Sequence, residues 1–408
     1  MRRPGAPSRR EFLTVATGAV TTALVSDPAR RRQAPYDLLV KGGRLIDPGL
    51  GVSTIRDVGI TDGRIAHVSE DIPAGQARQI LDARGRIVTP GLIDAHVHVY
   101  EGVARFGIQP DVVGAARGVT SLVDGGSAGA VTFPAFRDHV VEPARTRVFA
   151  LLNIAESGMV VRNETAHLSG LDVEAAVRTI TNNRDVLVGM KVRMLAGIPD
   201  GQDVEVMRRA RTAADRAGVP VTVHIGGQSS PLPQILDLLR PGDVLTHTLR
   251  RTGSILDGNG QVYAEVREAI ANGVHLDVGH GRGNLDFDVA ERVLDQGVTP
   301  SVISSDVHAG NALGPVFDLP MTLSKFLHLG MPLDDVVRCA TATPASIFDF
   351  RASLGSLVVG AEADVAVFDM VEADVTFVDS SGAARTGRRR LAPYATVLGG
   401  RAYGSINS

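Results

Sequence analysis

Tryptophan is missing from this 408-residue chain, cysteine occurs once, and aromatic side chains make up only 4% of it. One cysteine cannot close an internal disulfide, so the fold stands on core packing and on any metal it holds. That residue, Cys339, lies in the helical pattern DDVVRCATATPASIF, where a small thiol reads as buried and structural. So few aromatics argue against a surface that stacks nucleic-acid bases, and a formal net charge of −3 supplies no basic footprint for a phosphate backbone. Long apolar runs are missing too. VATGAVTTALV, which follows SRREFLT, is too short to span a bilayer as a helix.

What is present describes an enzyme-sized globular chain. A hydrophobic content of 44% with 45 glycines suits one large domain with an appendage, many short turns and a small-molecule site. At the N-terminus, Arg9 and Arg10 followed by Phe12 and Leu13 resemble a twin-arginine export signal. The resemblance implies the twin-arginine export machinery as a partner and a periplasmic or extracellular location. No A-x-A cleavage site follows, and Arg30, Arg31 and Arg32 put positive charge behind the apolar stretch, so retention by an uncleaved tail is a further expectation. Residues 1–34 are therefore set apart from the fold.

From residue 35 to 89 the chain reads as strand after strand (YDLLVKGGRLID, DVGITDGRIAHVS, RQILDARGRIV), and the style returns in 352–408 (LGSLVVGAEADVAVFD, ADVTFVD, YATVLGGRAY). Both ends together predict a small β-sandwich domain. Between them, in 90–351, apolar strands alternate with amphipathic stretches such as DVEVMRRARTAADRAG and DFDVAERVLDQG. About eight such units fit an α/β fold of the (β/α)8 TIM-barrel type, whose active site lies at the C-terminal ends of the strands.

Polar groups stand at those ends. In PGLIDAHVHVY, Asp94, His96 and His98 share one face of a strand. Lys191 ends VGMKVRM, His224 ends VTVHIGG, His247 ends VLTHT and Asp306 ends VISSDVH. Neutral imidazoles and carboxylates are ordinary ligands of zinc, and a pair of metals needs an anionic bridge. A buried lysine supplies one if its free amine takes up carbon dioxide as a carbamate, which makes Lys191 the candidate bridge.

In these motifs, together with GVTSLVDGG, LLNIAESG, GSILDGNGQV, HLDVGHGRGNLDF, SSDVHAGN, GPVFDLPMTLSKFLHLGM and TATPASIF, the chain resembles the amidohydrolase superfamily, in its deacetylase branch related to dihydroorotases and D-aminoacylases. The resemblance implies His96, His98 and Asp306 as ligands of one divalent metal, His224 and His247 as ligands of a second, and a carbamate on Lys191 between them, with zinc the expected metal. It also implies Asp306 as the catalytic residue, taking a proton from a metal-held hydroxide that attacks an acyl carbonyl and returning it to the leaving group.

Around the metals, Arg193 shares the face of Lys191, and as a substrate contact it competes with a salt bridge inside the barrel. His280 and His308 lie in later strand-end loops as substrate contacts. Asp94 is expected to orient a ligand histidine or fix the strand end. His67, His139, His167, His275 and His328 fall outside the strand ends and read as structural or solvated.

The expected substrate is a small acylated molecule, an N-acyl amine or an O-acyl ester. A dihydroorotase-type cyclic-amide hydrolase is the alternative, weakened because Tyr100 stands where that family places an arginine. A deaminase would place a glutamate shortly after His224, and VHIGGQSS has none. A non-catalytic exported binding protein of the same fold is the reading from another class. Assembly into a homo-oligomer is left open.

Overall fold

The computed structural model describes residues 35–403 apart from 196, 200 and 351–353. The twin-arginine stretch thus lies outside the described residues. Two sheets organise the rest. The first takes β1 (Tyr36–Asp47), β2 (Val52–Thr61), β3 (Arg64–Ser69), β4 (Ala77–Asp82) and β5 (Ile87–Pro90) from the front of the chain, and β13 (Val365–Val378), β14 (Ala384–Leu398) and β15 (Arg401–Tyr403) from the back. A two-residue Asp62-Gly63 turn joins β2 to β3 with φ of 51° and 73°, the left-handed pair that hairpins of this length require.

Strand pairing puts both ends into one eight-stranded sheet, in the order β15-β14-β13-β5-β1-β2-β3 with β4 beside β1, where a sandwich of two sheets was expected. The reason is β5, which pairs with β1 on one side and antiparallel to β13 on the other, with Val88 opposite Val367. The sheet's core is separate from the main one and aliphatic apart from Tyr394, built on Val40, Leu45, Val58, Val365 and Val397.

The second sheet holds β6 (Leu92–Val97), β7 (Val119–Asp124), β8 (Arg147–Asn153), β9 (Leu187–Arg193), β10 (Val221–His224), β11 (Val244–Thr246) and β12 (His275–Asp277), each beside the next. All six pairings are parallel. A parallel sheet is covered on both faces, which is why every residue of β6 and β7 is buried. Helices return the chain between strands, and aspartates stop their first turns from fraying. Asp172, Asp286 and Asp318 each accept a backbone N–H at the start of Val173–Asn182, Phe287–Asp295 and Leu319–His328.

VISSDVH, expected as the last strand, is not regular strand. It makes isolated parallel bridges, Val302 to Asp277 and Val307 to Val97, and so carries hydrogen bonds from β12 back to β6. Its ladder breaks because Asp306 takes a φ of 47° and the Ser304 and Ser305 side chains turn to carboxylates. Cys339 is buried beneath this segment, its thiol toward the Pro300 carbonyl, and burial pushes the thiol up to about 12. Among the described residues no helix is long and apolar enough to cross a membrane.

Candidate active site at the strand ends

The six residues singled out at the strand ends meet in one cluster, five of them buried and His224 half-buried. His96 Nε2 lies 3.0 Å from Lys191 Nζ and 3.8 Å from Asp306 Oδ1. His98 Nε2 is 3.2 Å from the same carboxylate oxygen. The His247 ring centroid is 5.1 Å from that of His96 and 4.1 Å from that of His224. One nitrogen from each of His96 and His247 and one Asp306 oxygen all fall within 4.8 Å of one another, close enough to share an ion.

Burial decides the charge states. It holds His96 and His224 well below the ordinary imidazole range and brings His247 to about 3, against the opposing pull of Asp306. Lys191, fully buried, is driven down to about 7 by the same loss of water, while Asp306 pulls it upward. Burial would raise Asp306 as well, but the facing His96, His98 and His247 outweigh it and keep the carboxyl below its usual range. The cluster therefore offers neutral imidazoles, a carboxylate and an amine that sheds its proton near neutrality. Asp306 Oδ1 is buried with only ring nitrogens for neighbours, His98 Nε2 at 3.2 Å and His96 Nε2 at 3.8 Å, and no well-aligned hydrogen bond, a costly state for an anion unless a cation meets it. This donor set fits divalent metal.

A second ring of residues holds the first. His247 Nδ1 donates to the Gly279 carbonyl at 2.8 Å, leaving Nε2 free to bind. His98 Nδ1 meets Ser127 Oγ at 2.9 Å and His96 Nδ1 meets Thr246 Oγ1 at 3.3 Å. Thr246 donates on to Asp277 at 2.6 Å, and Asp277 also receives the Ser304 hydroxyl. Asp94 accepts from the Ser305 hydroxyl at 2.5 Å and from the His96 amide at 3.4 Å, so it fixes the strand end and the Asp306 segment together. Thr246, Asp277 and Ser127 escaped the sequence reading, which followed histidines. Asp277 ends β12 as His96 nearly ends β6, and that strand-end position was the available signal.

Backbone shape completes the site. His247 and Asp306 have φ of 71° and 47°, left-handed conformations that side-chain-bearing residues seldom adopt and that gather at functional sites. Glycine is required against the cluster: a Cβ on Gly125 would come within 2.5 Å of His96 Nε2, and one on Gly281 would collide with Asp306 Oδ2.

The remaining assignments divide. Arg193 Nη1 pairs at 3.0 Å with Glu164, a buried carboxylate that the sequence did not announce, so the salt bridge named as its competitor is present. His308 borders the cluster, its ring 4.9 Å from that of Phe106 and its Nδ1 accepting from the Gly310 amide at 3.0 Å. That acceptance leaves the ring proton on Nε2, and burial brings the imidazole to about 4. His280 is fully buried with Nδ1 on the Gly281 carbonyl and Nε2 on Lys325, so no nitrogen is left for a substrate. Of the histidines set aside, His275 binds Ser301 and His328 packs on Phe377.

A model of the amidohydrolase family matches residues 87–400. A deacetylase of Agrobacterium fabrum is 35% identical over 345 residues, 84% of this chain and 84% of that one. Among solved structures, one described as an adenine deaminase superposes with a TM-score of 0.84 at 32% identity, covering 90% of this chain and 99% of its own. Another, described as a dihydroorotase, does so with a TM-score of 0.82 at 34% identity, covering 90% and 97%.

Proposed function

The chain belongs to the amidohydrolase family and is a hydrolase acting on carbon–nitrogen bonds, and from that premise we propose that it removes an acetyl-like acyl group from a small N-acyl or O-acyl compound. The observation that carries the reading is the buried gathering of His96, His247 and Asp306 ligand atoms within 4.8 Å of one another, with Lys191 Nζ 3.0 Å from His96 Nε2. His96, His98 and Asp306 would hold one divalent metal, His224 and His247 a second, and Lys191, as a carbamate, would join them. Zinc is the metal this donor set suits first. Bound there, the metals would supply Lewis acidity toward a carbonyl and toward water.

The protein's own groups do the rest. Asp306 takes up a proton at its carboxylate as the acyl carbon is attacked and returns it to the leaving nitrogen or oxygen. The low proton affinity of Lys191 keeps its amine free near pH 7, so that N–C bond formation with carbon dioxide releases one proton and leaves a carbamate. His308, with its proton on Nε2, is the substrate contact, while Arg193, its Nη1 held by Glu164, could reach substrate only through its remaining N–H groups. His280 has no free nitrogen and drops out of that role.

Two features weigh against a dihydroorotase-type reaction or deamination. Tyr100 is buried and its hydroxyl donates to the Thr132 carbonyl at 3.1 Å, so position 100 offers no cation for a cyclic-amide carboxylate. Gln228, where a deaminase would carry its glutamate nearby, is tied to the Gly226 amide at 2.6 Å. Export through the twin-arginine machinery to the periplasm or beyond belongs to the same proposal, on the strength of Arg9 and Arg10.

The test is metal content by elemental analysis of wild type and Lys191→Ala, both prepared with zinc and bicarbonate, followed by acetate release from panels of N-acetyl amino acids and O-acetyl hydroxy acids. About two metals per chain are expected in the wild type and about one or fewer in the variant. One metal in both proteins would sink the bridged pair. No acetate from either panel would sink the deacylase.

A further inference from the structure

Lys325 is buried on the helix Leu319–His328, away from the cluster of ligand-type residues. Its amine lies within hydrogen-bond reach of three acceptors: His280 Nε2 at 2.5 Å, the Pro315 carbonyl at 2.8 Å and the Val378 carbonyl at 2.8 Å. Each acceptor comes from a different part of the chain. Pro315 lies in the loop that follows Asp306, Val378 closes β13 in the other sheet, and His280 follows β12. The carboxylate of the neighbouring Asp379 is already taken up by the Phe287 and Ser381 amides, so the lysine is held by dipoles and an imidazole lone pair.

The proton positions follow from the partners. The Gly281 carbonyl can only accept, so His280 Nδ1, 2.9 Å away, carries the ring proton and Nε2 is left as the acceptor for lysine. That orientation pins loop 279–284, and the loop touches the cluster at both ends. At Gly279 its carbonyl receives His247 Nδ1 at 2.8 Å. At Gly281 its backbone lies too close to Asp306 Oδ2 to admit a Cβ, and Asn284 Nδ2 reaches the same oxygen at 3.5 Å.

We infer that Lys325 is a positioning residue: through His280 it fixes the loop that orients His247 and Asp306, and so links the working cluster to the sheet built from the two chain ends. The inference rests on the proposed roles of His247 and Asp306. A lysine that merely filled space could give way to methionine without disturbing either of them, whereas a locking lysine could not.

The experiment compares wild type, Lys325→Met, His280→Leu and His280→Gln, each loaded with zinc. It reads the rate of zinc loss to a chelator, the melting temperature, and kcat and KM for 4-nitrophenyl acetate. Lys325→Met and His280→Leu are expected to lose zinc about tenfold faster and to drop kcat about tenfold, with KM changed less than about twofold. His280→Gln keeps an acceptor for the lysine and is expected to stay within about threefold of wild type. If Lys325→Met does not fold, the two His280 variants decide: equal behaviour of Leu and Gln overturns the inference. Lowered melting temperature with zinc retention and kcat unchanged overturns it as well, since that is what a purely structural lysine would give. Wild type that holds no zinc would instead bring down the metal reading on which the lock depends.

Discussion

Two lysines are buried in this molecule against the Nε2 of a histidine, Lys191 against His96 and Lys325 against His280. Burial pushes both down to about 7. They differ in what surrounds the amine. Lys325 has three acceptors and no unmet need, while the one hydrogen-bond partner of Lys191 among the described residues is His96, itself 3.8 Å from an Asp306 oxygen that has only ring nitrogens for neighbours. A saturated amine is a fastener. An unsaturated one beside a lone carboxylate oxygen and several imidazoles is a place built for something further to bind. The contrast teaches that burial of a lysine alone says nothing of its role, and that the count of its partners does.

The sharpest way to break this comparison is Asp306→Asn, which keeps the shape and removes the proton acceptor. Turnover should fall about 10²- to 10⁴-fold while bound zinc persists. Steady-state kinetics with elemental analysis checks it, and a fully active variant would make the unsatisfied cluster as structural as the satisfied one.

Gly125→Ala tests the same region by crowding it. The new Cβ would sit within 2.5 Å of His96 Nε2, so the ring must move, and activity and zinc affinity should fall about 10- to 100-fold. Gly283→Ala, in the loop that Lys325 pins, meets nothing within 4 Å and serves as its control. Its effect on stability should stay within about 0.5 kcal/mol by urea denaturation.

The fastener can be read from pH. Folding lowers Lys325 from 10.5 to about 7, so the unfolded chain takes up a proton in that window and the folded one does not. Stability from this group is therefore full above 10.5, falls as pH drops toward 7 and levels below. Lys325→Met should lose less stability than wild type between pH 10 and 7, whatever its constant offset. Urea midpoints across the range measure the slopes, and parallel curves would mean that the amine keeps its ordinary proton affinity in the fold.

Read by itself, the sequence determined which ligand-type side chains of this protein would gather in one place. Period-two alternation aimed His96 and His98 together, and apolar strands alternating with amphipathic helices placed Lys191, His224, His247 and Asp306 at corresponding ends, because both signals are local and repeat along the chain. The supporting residues were not legible in the same way. Asp277 receives Thr246 and Ser304 from segments about 30 residues away on either side, Glu164 meets Arg193 across 29 residues that include a whole helix, and Lys325 reaches back 45 residues to His280. Nor could alternation reveal that β5 would join both chain ends in one sheet, or that Asp306 would leave the strand with a φ of 47°. Those outcomes depend on which buried polar group finds a partner once distant segments meet. Only tertiary structure decides that, because the loss of water that compels the pairing does not exist until the chain has folded.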